Sequence, residues 1–283
     1  MSTMQEKLKK MNPRQLEAVL HTEGPLLILA GAGSGKTTVL INRIAYIIDQ
    51  SLAKPWQILA ITFTNKAAGE LKERLTAMLG DTGGDVWAAT FHSTCARILR
   101  RDGDRIGYSS HFTVYDTDDS KRLVKDCQKA LNIDDKMISH KSILSEISHA
   151  KDSMLSPADY QAAAGSDFRL AKIGAVYELY QKRLREADAM DFDDLLGNTV
   201  ELFRQCPDVL EYYQNRFRYI MVDEYQDTNQ VQYEFVRLLA GKSKNLCVVG
   251  DDDQSIYKFR GATIENIMSF EKSYPNAKVI RLE

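Results

Sequence analysis

The 283-residue sequence lacks most features that define secreted, metal-bound or membrane-embedded proteins. Its four cysteines lie far apart and form no CxxC pair, so neither a zinc site nor a disulfide framework is indicated. The N-terminus lacks the apolar core of a signal peptide, and no run approaches the ~18 apolar residues that cross a bilayer. We therefore expect a cytoplasmic protein in a reducing compartment, without a membrane partner.

An excess of one charge is also missing, since 37 basic and 39 acidic residues leave a formal net charge of −2. The net charge therefore gives no indication of a nucleic-acid partner, although a protein that is acidic overall can still have a basic groove. Four arginines between positions 97 and 105 are interrupted by aspartates, which favours a solvated helix end over a binding patch.

Short apolar runs separated by helical patterns predict the fold class. The helical patterns include residues 37–50 and 66–79. The apolar runs lack the polar alternation of half-exposed strands, so we expect a doubly wound α/β domain with a buried parallel sheet. The predicted strands are residues 26–30, 58–62, 86–90, 219–222, 246–250 and 278–282.

The middle of the chain, from about residue 116 to 188, has helical patterns and hardly a strand candidate. Residues 116–120 offer N-cap side chains before a helix at 121–131, and Ser156-Pro157 is typical of another helix start. We expect an inserted all-helical subdomain at residues 113–189, within an α/β domain formed by residues 1–112 and 190–283.

The strongest chemical signal follows the first predicted strand. A glycine-rich loop of residues 31–35 leads into Lys36, Thr37 and a helix, so its backbone N–H groups could surround phosphate oxygens. Lys36 would reach the β- and γ-phosphates, and the Thr37 hydroxyl would bind Mg²⁺. Ala30 replaces the first glycine of the usual pattern, a small departure. A glycine-rich turn without ligand and a dinucleotide fold are the weaker alternatives, since Lys36-Thr37 has no role in the latter.

Acidic residues follow two later strands. Asp223 is suited to holding Mg²⁺, and the adjacent Glu224 to orienting and deprotonating an attacking water. An Asp-Glu pair after a strand is common at protein surfaces and by itself indicates little. Beside a phosphate loop, it predicts a site for nucleotide hydrolysis. Gln254 follows the strand at 246–250 and could sense a γ-phosphate, although the acids before it could equally form a solvated loop.

Seven motifs, in order along nearly the whole chain, resemble the UvrD/PcrA/Rep group of superfamily 1 helicases. They are residues 12–15 with 17–19, 30–37, 61–68, 90–93, 191–195, 222–229 and 249–257. The resemblance implies a RecA-like P-loop NTPase domain and an ATP-dependent DNA helicase that moves 3′→5′ on single-stranded DNA. Its implied ligands are ATP, Mg²⁺, single-stranded DNA and duplex junctions.

The resemblance also implies roles for particular residues. Gln15 would read adenine, Gln226 would lie beside the phosphates, and Gln254 would couple the γ-phosphate to DNA. The implied catalytic residues are Lys36, Glu224 and Gln254, and the implied metal ligands are Thr37 and Asp223. The implied nucleotide-binding residues are Gln15, Ala30, Gly31, Ala32, Gly33, Ser34, Gly35, Lys36, Thr37, Thr38 and Gln226.

The implied DNA-binding residues are Phe63, Thr64, Asn65, His92, Tyr257, Phe259 and Arg260. Aromatic rings suit this task because any base can stack on them. Burial in the core is the alternative for each aromatic residue, and it is the favoured one for Phe91. Two departures from the group weaken the correspondence: Phe259 stands where tryptophan is usual, and Thr38 where arginine is usual.

Members of this group continue beyond the equivalent of Glu283 into a motif with an arginine that reaches the γ-phosphate, and then into a second RecA-like domain. We therefore expect a monomeric fragment that binds nucleotide weakly, hydrolyses ATP poorly and unwinds nothing. Its longer parent would work with repair or replication proteins.

Three other functions compete with this reading. A P-loop kinase or transport ATPase would have no reason to carry the Thr-Phe-Thr-Asn-Lys and Thr-Phe-His-Ser motifs. A scaffold that binds DNA or a repair partner and has lost catalysis would have no need of intact Lys36, Asp223, Glu224 and Gln254. A recombination nuclease–helicase subunit stays open.

Overall fold

The computed structural model describes residues 3–251 and 262–283. Its strands are β1 (Leu26–Ala30), β2 (Ile58–Thr62), β3 (Trp87–Thr90), β4 (Thr113–Tyr115), β5 (Ala189–Asp191), β6 (Tyr219–Val222), β7 (Leu246–Asp251) and β8 (Lys278–Leu282). Its α-helices are α1 (Thr3–Lys9), α2 (Pro13–Leu20), α3 (Lys36–Asp49), α4 (Asn65–Leu79), α5 (Phe91–Asp102), α6 (Thr117–Ala130), α7 (His140–Asp152), α8 (Pro157–Ala164), α9 (Phe168–Glu186), α10 (Phe192–Gln205), α11 (Pro207–Arg216), α12 (Gln230–Leu239) and α13 (Ala262–Ser273).

The chain divides into two compact units. The first, called the sheet unit below, contains Met1–Phe91, Leu210–Thr228 and Val236–Glu283. The second, called the helical unit, contains His92–Val209 and Asn229–Phe235. The narrower insertion expected from the sequence, residues 113–189, stays a prediction. None of the helices in the described ranges is long and apolar enough to cross a membrane.

A parallel sheet forms the centre of the sheet unit. Its strand order is β3-β2-β6-β7-β1-β8, and each neighbouring pair runs parallel. All residues of β1, β2 and β6 are buried, as expected for strands covered on both faces. The predicted mixed α/β fold with a parallel sheet is confirmed.

The observed strands agree closely with the predicted ones. β3 begins at Trp87, one residue later than expected, and β7 continues through Asp251. This agreement arises because short apolar runs bounded by turn residues favour buried strands. The last strand is the exception to the predicted burial, since β8 lies at the edge of the sheet and three of its five residues are exposed. Since the strands are parallel, their carboxyl ends share one edge of the sheet, where polar loop residues can converge.

Helices dominate the helical unit, as the sequence pattern predicts. Their starts follow local chemistry: Asp116 and Asp119 form a capping box at α6, and Ser156 and Asp159 form one at α8. The structure adds a two-stranded parallel sheet of β4 and β5, which sequence periodicity did not reveal. Three residues are too few to establish a period of two.

A buried lysine fixes the start of α10 in the helical unit. The Lys151 Nζ lies 2.6 Å from Asp191 Oδ2 and 2.9 Å from Asp194 Oδ1, and its side chain is 6% exposed. The Tyr180 hydroxyl donates to the same Asp191 oxygen at 2.8 Å. Burial by itself lowers the pKa of Lys151, but the charges of Asp194 and Asp191 outweigh it and raise that pKa, so the lysine stays charged.

Replacing Lys151 by methionine should destabilise the protein strongly. The change keeps most of the side-chain volume but leaves two buried carboxyl groups without their cation, at a cost of about 3–5 kcal/mol. Urea-induced unfolding, followed by circular dichroism, would measure the loss.

The matched control is Arg105→Met, which removes a cation from the exposed pair with Asp208, at 2.8 Å. Solvent screens this pair, so its loss should change the unfolding midpoint little. Equal effects of the two substitutions would contradict a special role for the buried lysine.

Candidate nucleotide site

The loop between β1 and α3 has the backbone expected of a phosphate-binding loop. Gly33 and Gly35 have left-handed backbone angles, with φ of 77° and 78°, a conformation that favours glycine. The Ser34 hydroxyl donates to the Gly31 carbonyl at 2.6 Å and tightens the turn. Ala30 is fully buried as the last residue of β1, so its methyl group is accommodated. The first N–H groups of α3 have no partners within the helix and point toward this loop.

Gln15 lies beside the loop, on α2. Its Nε2 donates to the Ser34 carbonyl at 3.3 Å, and its Oε1 accepts the Asn12 N–H at 3.2 Å in a capping box. Buried Arg43 on α3 holds the end of α2, donating to the carbonyls of Ala18 at 3.0 Å, His21 and Thr22. A helix C-terminus is a favourable place for a buried cation. The position of Gln15 relative to the loop is thus fixed at both ends of α2.

The two predicted catalytic motifs meet although they are 188 residues apart in the chain. The Lys36 Nζ donates to Glu224 Oε1 at 3.0 Å. Gln226 is 3% exposed. Its Nε2 donates to Glu224 Oε2 at 2.6 Å, and its Oε1 accepts the Asp251 N–H at 3.2 Å. The ends of β1, β6 and β7 therefore supply one connected polar cluster.

The backbone of Glu224 is left-handed, with φ of 51° and ψ of 42°. Such a conformation costs about 1–3 kcal/mol for a residue with a side chain and persists only where its surroundings impose it. The Glu224 N–H donates to Asp223 Oδ1 at 2.8 Å, and the Asp227 N–H donates to the Glu224 carbonyl at 2.9 Å. Strain of this kind is often found at functional sites.

The charges of the cluster shift its pKa values. Burial alone lowers the pKa of Lys36, but the hydrogen bond and charge of Glu224, with Asp223 and Asp251, raise it above its ordinary value. Burial, followed by the charge of Glu224, raises the pKa of Asp223. A half-buried carboxylate beside another carboxylate, as Asp223 is beside Glu224, would gain from a nearby divalent cation.

The residues present fit Mg²⁺ held together with a nucleotide. Thr37 and Asp223 both line a cavity of about 170 Å³ between α3, α4 and β2. Within residues 3–251 and 262–283, no three acidic, histidine or cysteine side chains converge as a metal site. Mg²⁺ often relies on one or two protein ligands plus phosphate oxygens and water, which suits a hydroxyl and a carboxylate.

Arg74, which the sequence analysis did not single out, reaches the position next to the phosphate-loop threonine. Its Nη2 donates to the Thr38 hydroxyl at 3.1 Å. A guanidinium from α4 therefore lies beside the residue that replaces the usual arginine. No local pattern indicated this contact, because 36 residues separate the partners.

Three of the predicted DNA-binding residues lie together in the sheet unit: Phe63 and Thr64 follow β2, and Asn65 is the first residue of α4. Phe63 is half-buried, with its ring 5.4 Å from that of Phe91 in an edge-to-face contact. Thr64 caps α4 by accepting the Ala67 N–H, and Asn65 is exposed. Phe91 is fully buried, which agrees with its reading as a core residue.

His92, in the helical unit, stacks on a residue that sequence reasoning missed. Its ring is 4.1 Å from that of Phe192, with an angle of 20° between the planes. Phe192 is 56% exposed, an unusual position for a large apolar side chain. Burial lowers the pKa of His92, so the imidazole is neutral at neutral pH. An aromatic residue at the first position of a helix, between acids, was the available signal. Gln254, Tyr257, Phe259 and Arg260 lie outside the described residues.

The parallel sheet and phosphate loop define a P-loop nucleotide-binding domain. Residues 11–275 match the family model described as UvrD/REP helicase N-terminal domain, and the chain belongs to this family. The resemblance seen in the motifs is thus confirmed.

Curated relatives give the same result. The chain is 55% identical over 276 residues to the protein named ATP-dependent DNA helicase PcrA from Staphylococcus aureus. The aligned region covers 98% of this chain and 38% of that relative. Its identity to the protein of the same name from Staphylococcus epidermidis is 54% over 276 residues. The chain therefore spans less than half the length of these relatives.

Mg²⁺-dependent nucleotide binding should weaken as the pH falls, and earlier than an ordinary aspartate would predict. The pKa of Asp223 is raised, so this carboxyl loses its charge at a higher pH on acidification. Fluorescent ATP-analogue titrations, run from neutral pH down to the usual aspartate pKa of about 3.9, would measure the effect.

The control is Asp223→Asn, which keeps the side-chain volume but has no carboxyl to titrate. Protonation of the nucleotide itself is common to both proteins, so only the wild type should show the additional loss. Identical pH profiles would argue against Asp223 as the metal ligand.

Proposed function

We propose that this chain is the ATP-binding part of an ATP-dependent DNA helicase that translocates 3′→5′ along single-stranded DNA. DNA translocation and its direction are proposed from membership of the helicase family. The observation that carries ATP hydrolysis is the Lys36–Glu224 contact of 3.0 Å at the shared edge of β1 and β6. It joins a phosphate-loop lysine to a carboxylate able to activate water. The names of the curated relatives support the same function.

In the proposed reaction, the Lys36 ammonium leaves Glu224 and binds phosphate oxygens of the nucleotide, whose charge it stabilises. The freed Glu224 carboxylate then orients the attacking water. Gln226 keeps hold of the other Glu224 oxygen and so limits how far the carboxylate can turn. Thr37 and Asp223 would hold Mg²⁺, which neutralises phosphate charge when bound.

Recognition of the nucleotide would involve α2 and α4 as well as the loop. The Gln15 amide carries a donor and an acceptor, the pair needed to read one edge of adenine. Arg74 would supply a positive charge next to Thr38, the position where the helicase group has arginine. The proposed nucleotide-binding domain comprises residues 1–112 and 190–283, and the proposed helical insertion residues 113–189.

We propose two aromatic sites on which DNA bases stack, one in the sheet unit and one in the helical unit. One is Phe63 with Thr64 and Asn65, and the other is the stacked pair of His92 and Phe192. Half-buried or exposed rings of this kind accept any base without sequence preference. A neutral His92 stacks well because no charge has to be desolvated.

Binding of a fluorescent ATP analogue with Mg²⁺ tests the nucleotide site. Lys36→Ala should weaken binding by about 10- to 150-fold, the value of a hydrogen bond between charged groups. Steady-state hydrolysis, with and without single-stranded DNA, should be slow and should fall to background in this variant.

Lys129→Ala removes an exposed lysine from α6 and serves as the matched control, with no expected effect. Equal binding by the wild type and Lys36→Ala would refute nucleotide binding at the loop.

Binding of a fluorescent oligodeoxythymidine tests the DNA site. Phe192→Ala should weaken it by about 5- to 150-fold, since stacking of one base on an aromatic ring contributes about 1–3 kcal/mol. Anisotropy at constant salt would measure the affinity, because phosphate contacts depend on ionic strength.

Phe168→Ala is the control, since Phe168 is another exposed aromatic residue of the helical unit, at 75%. Similar losses in both variants would indicate a nonspecific surface effect and contradict the assignment of Phe192.

A further inference from the structure

The loop of residues 223–228, which carries the proposed catalytic base, needs restraint. Glu224 has a left-handed backbone that residues with a side chain rarely adopt. Hydrogen bonds within the loop provide part of the restraint, including one from the Thr228 hydroxyl to the Tyr225 carbonyl at 2.7 Å. These bonds move with the loop and cannot by themselves fix it to the rest of the sheet unit.

Asn266, on α13, ties the loop to a neighbouring helix. Its Nδ2 donates to the Gln226 carbonyl at 2.8 Å and to the Thr228 carbonyl at 2.7 Å. Both hydrogens of the side-chain amide are therefore used on the backbone that directly follows Glu224. Asn266 was not part of any motif considered in the sequence.

The hydrogen bonds continue from this backbone to the catalytic carboxylate. Gln226, held by Asn266 at its carbonyl, donates from its side chain to Glu224 and accepts from the Asp251 N–H. Since the Gln226 side chain is buried, a shift of its backbone would move its amide and the Glu224 carboxylate together.

We propose that Asn266 is a positioning residue for ATP hydrolysis, holding Glu224 in place through the backbone and side chain of Gln226. This role rests on the proposed function of the site. Among residues 3–251 and 262–283, the Asn266 side chain donates to the Gln226 and Thr228 carbonyls and to no group of the phosphate loop, Thr37 or Gln15. Its loss should therefore slow hydrolysis while leaving nucleotide affinity unchanged.

The test compares Asn266→Ala with the wild type, using the full chain. Single-turnover hydrolysis, with protein in excess over radiolabelled ATP, measures the chemical step, and a fluorescent ATP analogue measures affinity. The rate should fall between about fivefold and a hundredfold, as expected for two neutral hydrogen bonds, with affinity within about twofold.

Asn245→Ala provides a matched control in the same unit. The Asn245 side chain also bonds to backbone, accepting the Gly24 N–H at 2.9 Å, but it precedes β7 and lies at the opposite edge of the sheet. The substitution should leave both rate and affinity unchanged.

A second comparison separates positioning from general stability. In a Glu224→Gln background no base remains to be positioned, so adding Asn266→Ala should change the residual rate by less than about twofold. Asn266→Ser keeps one short donor and should give an intermediate rate. It also replaces the alanine variant if that protein fails to fold.

The inference is overturned if Asn266→Ala hydrolyses ATP at the wild-type rate, if it loses affinity in proportion to rate, or if its effect is equally large without Glu224. Wild-type turnover no higher than that of Lys36→Ala would instead reject the proposed function, and the inference with it. If the wild type turns over ATP faster than Lys36→Ala, but Asn266→Ala hydrolyses it at the wild-type rate, only the role of Asn266 is rejected and the proposed function stands.

Discussion

Parallel pairing of the central strands determines where Lys36 and Glu224, the two proposed catalytic groups among the described residues, lie. β1 pairs with β7 and β7 with β6, all in the same direction, so the residues after these strands emerge at one edge. The phosphate loop, the Asp223-Glu224 pair and Asp251 are brought together by this geometry alone. An antiparallel neighbour would have sent one of these groups to the opposite edge. The buried apolar strands therefore do more than stabilise the fold, since their direction also assembles the site.

The assembled site combines charge with strain. Lys36 and Glu224 neutralise each other, Asp223 is half-buried beside them with a raised pKa, and Glu224 has an unfavourable backbone conformation. Each feature would be relieved or used when phosphate and a divalent cation bind. Before these ligands bind, hydrogen bonds from Gln226 within the loop and from Asn266 on α13 keep the Glu224 carboxylate and its loop in place.

The Asp191–Leu195 motif contains two buried structural aspartates and one exposed aromatic residue. Asp191 and Asp194 turn inward to the buried Lys151, while Phe192 between them is exposed and stacks on His92. The internal ion pairs fix the start of α10, and that start places the aromatic ring at the surface. The sequence marked the motif as a whole but did not distinguish its structural residues from the exposed one.

Local sequence patterns were enough to predict the sheet strands, the starts of α3, α4 and α8, and the chemistry of the phosphate loop, because these depend on neighbouring residues. Apolar runs, capping side chains and glycines at positive φ act over a few positions. Three contacts became visible only in the fold: Lys36 with Glu224, Arg74 with Thr38, and Asn266 with the Glu224 loop. Contacts between distant residues depend on strand order and helix placement, which no local pattern encodes, and so the precise geometry of the site became visible only in the fold.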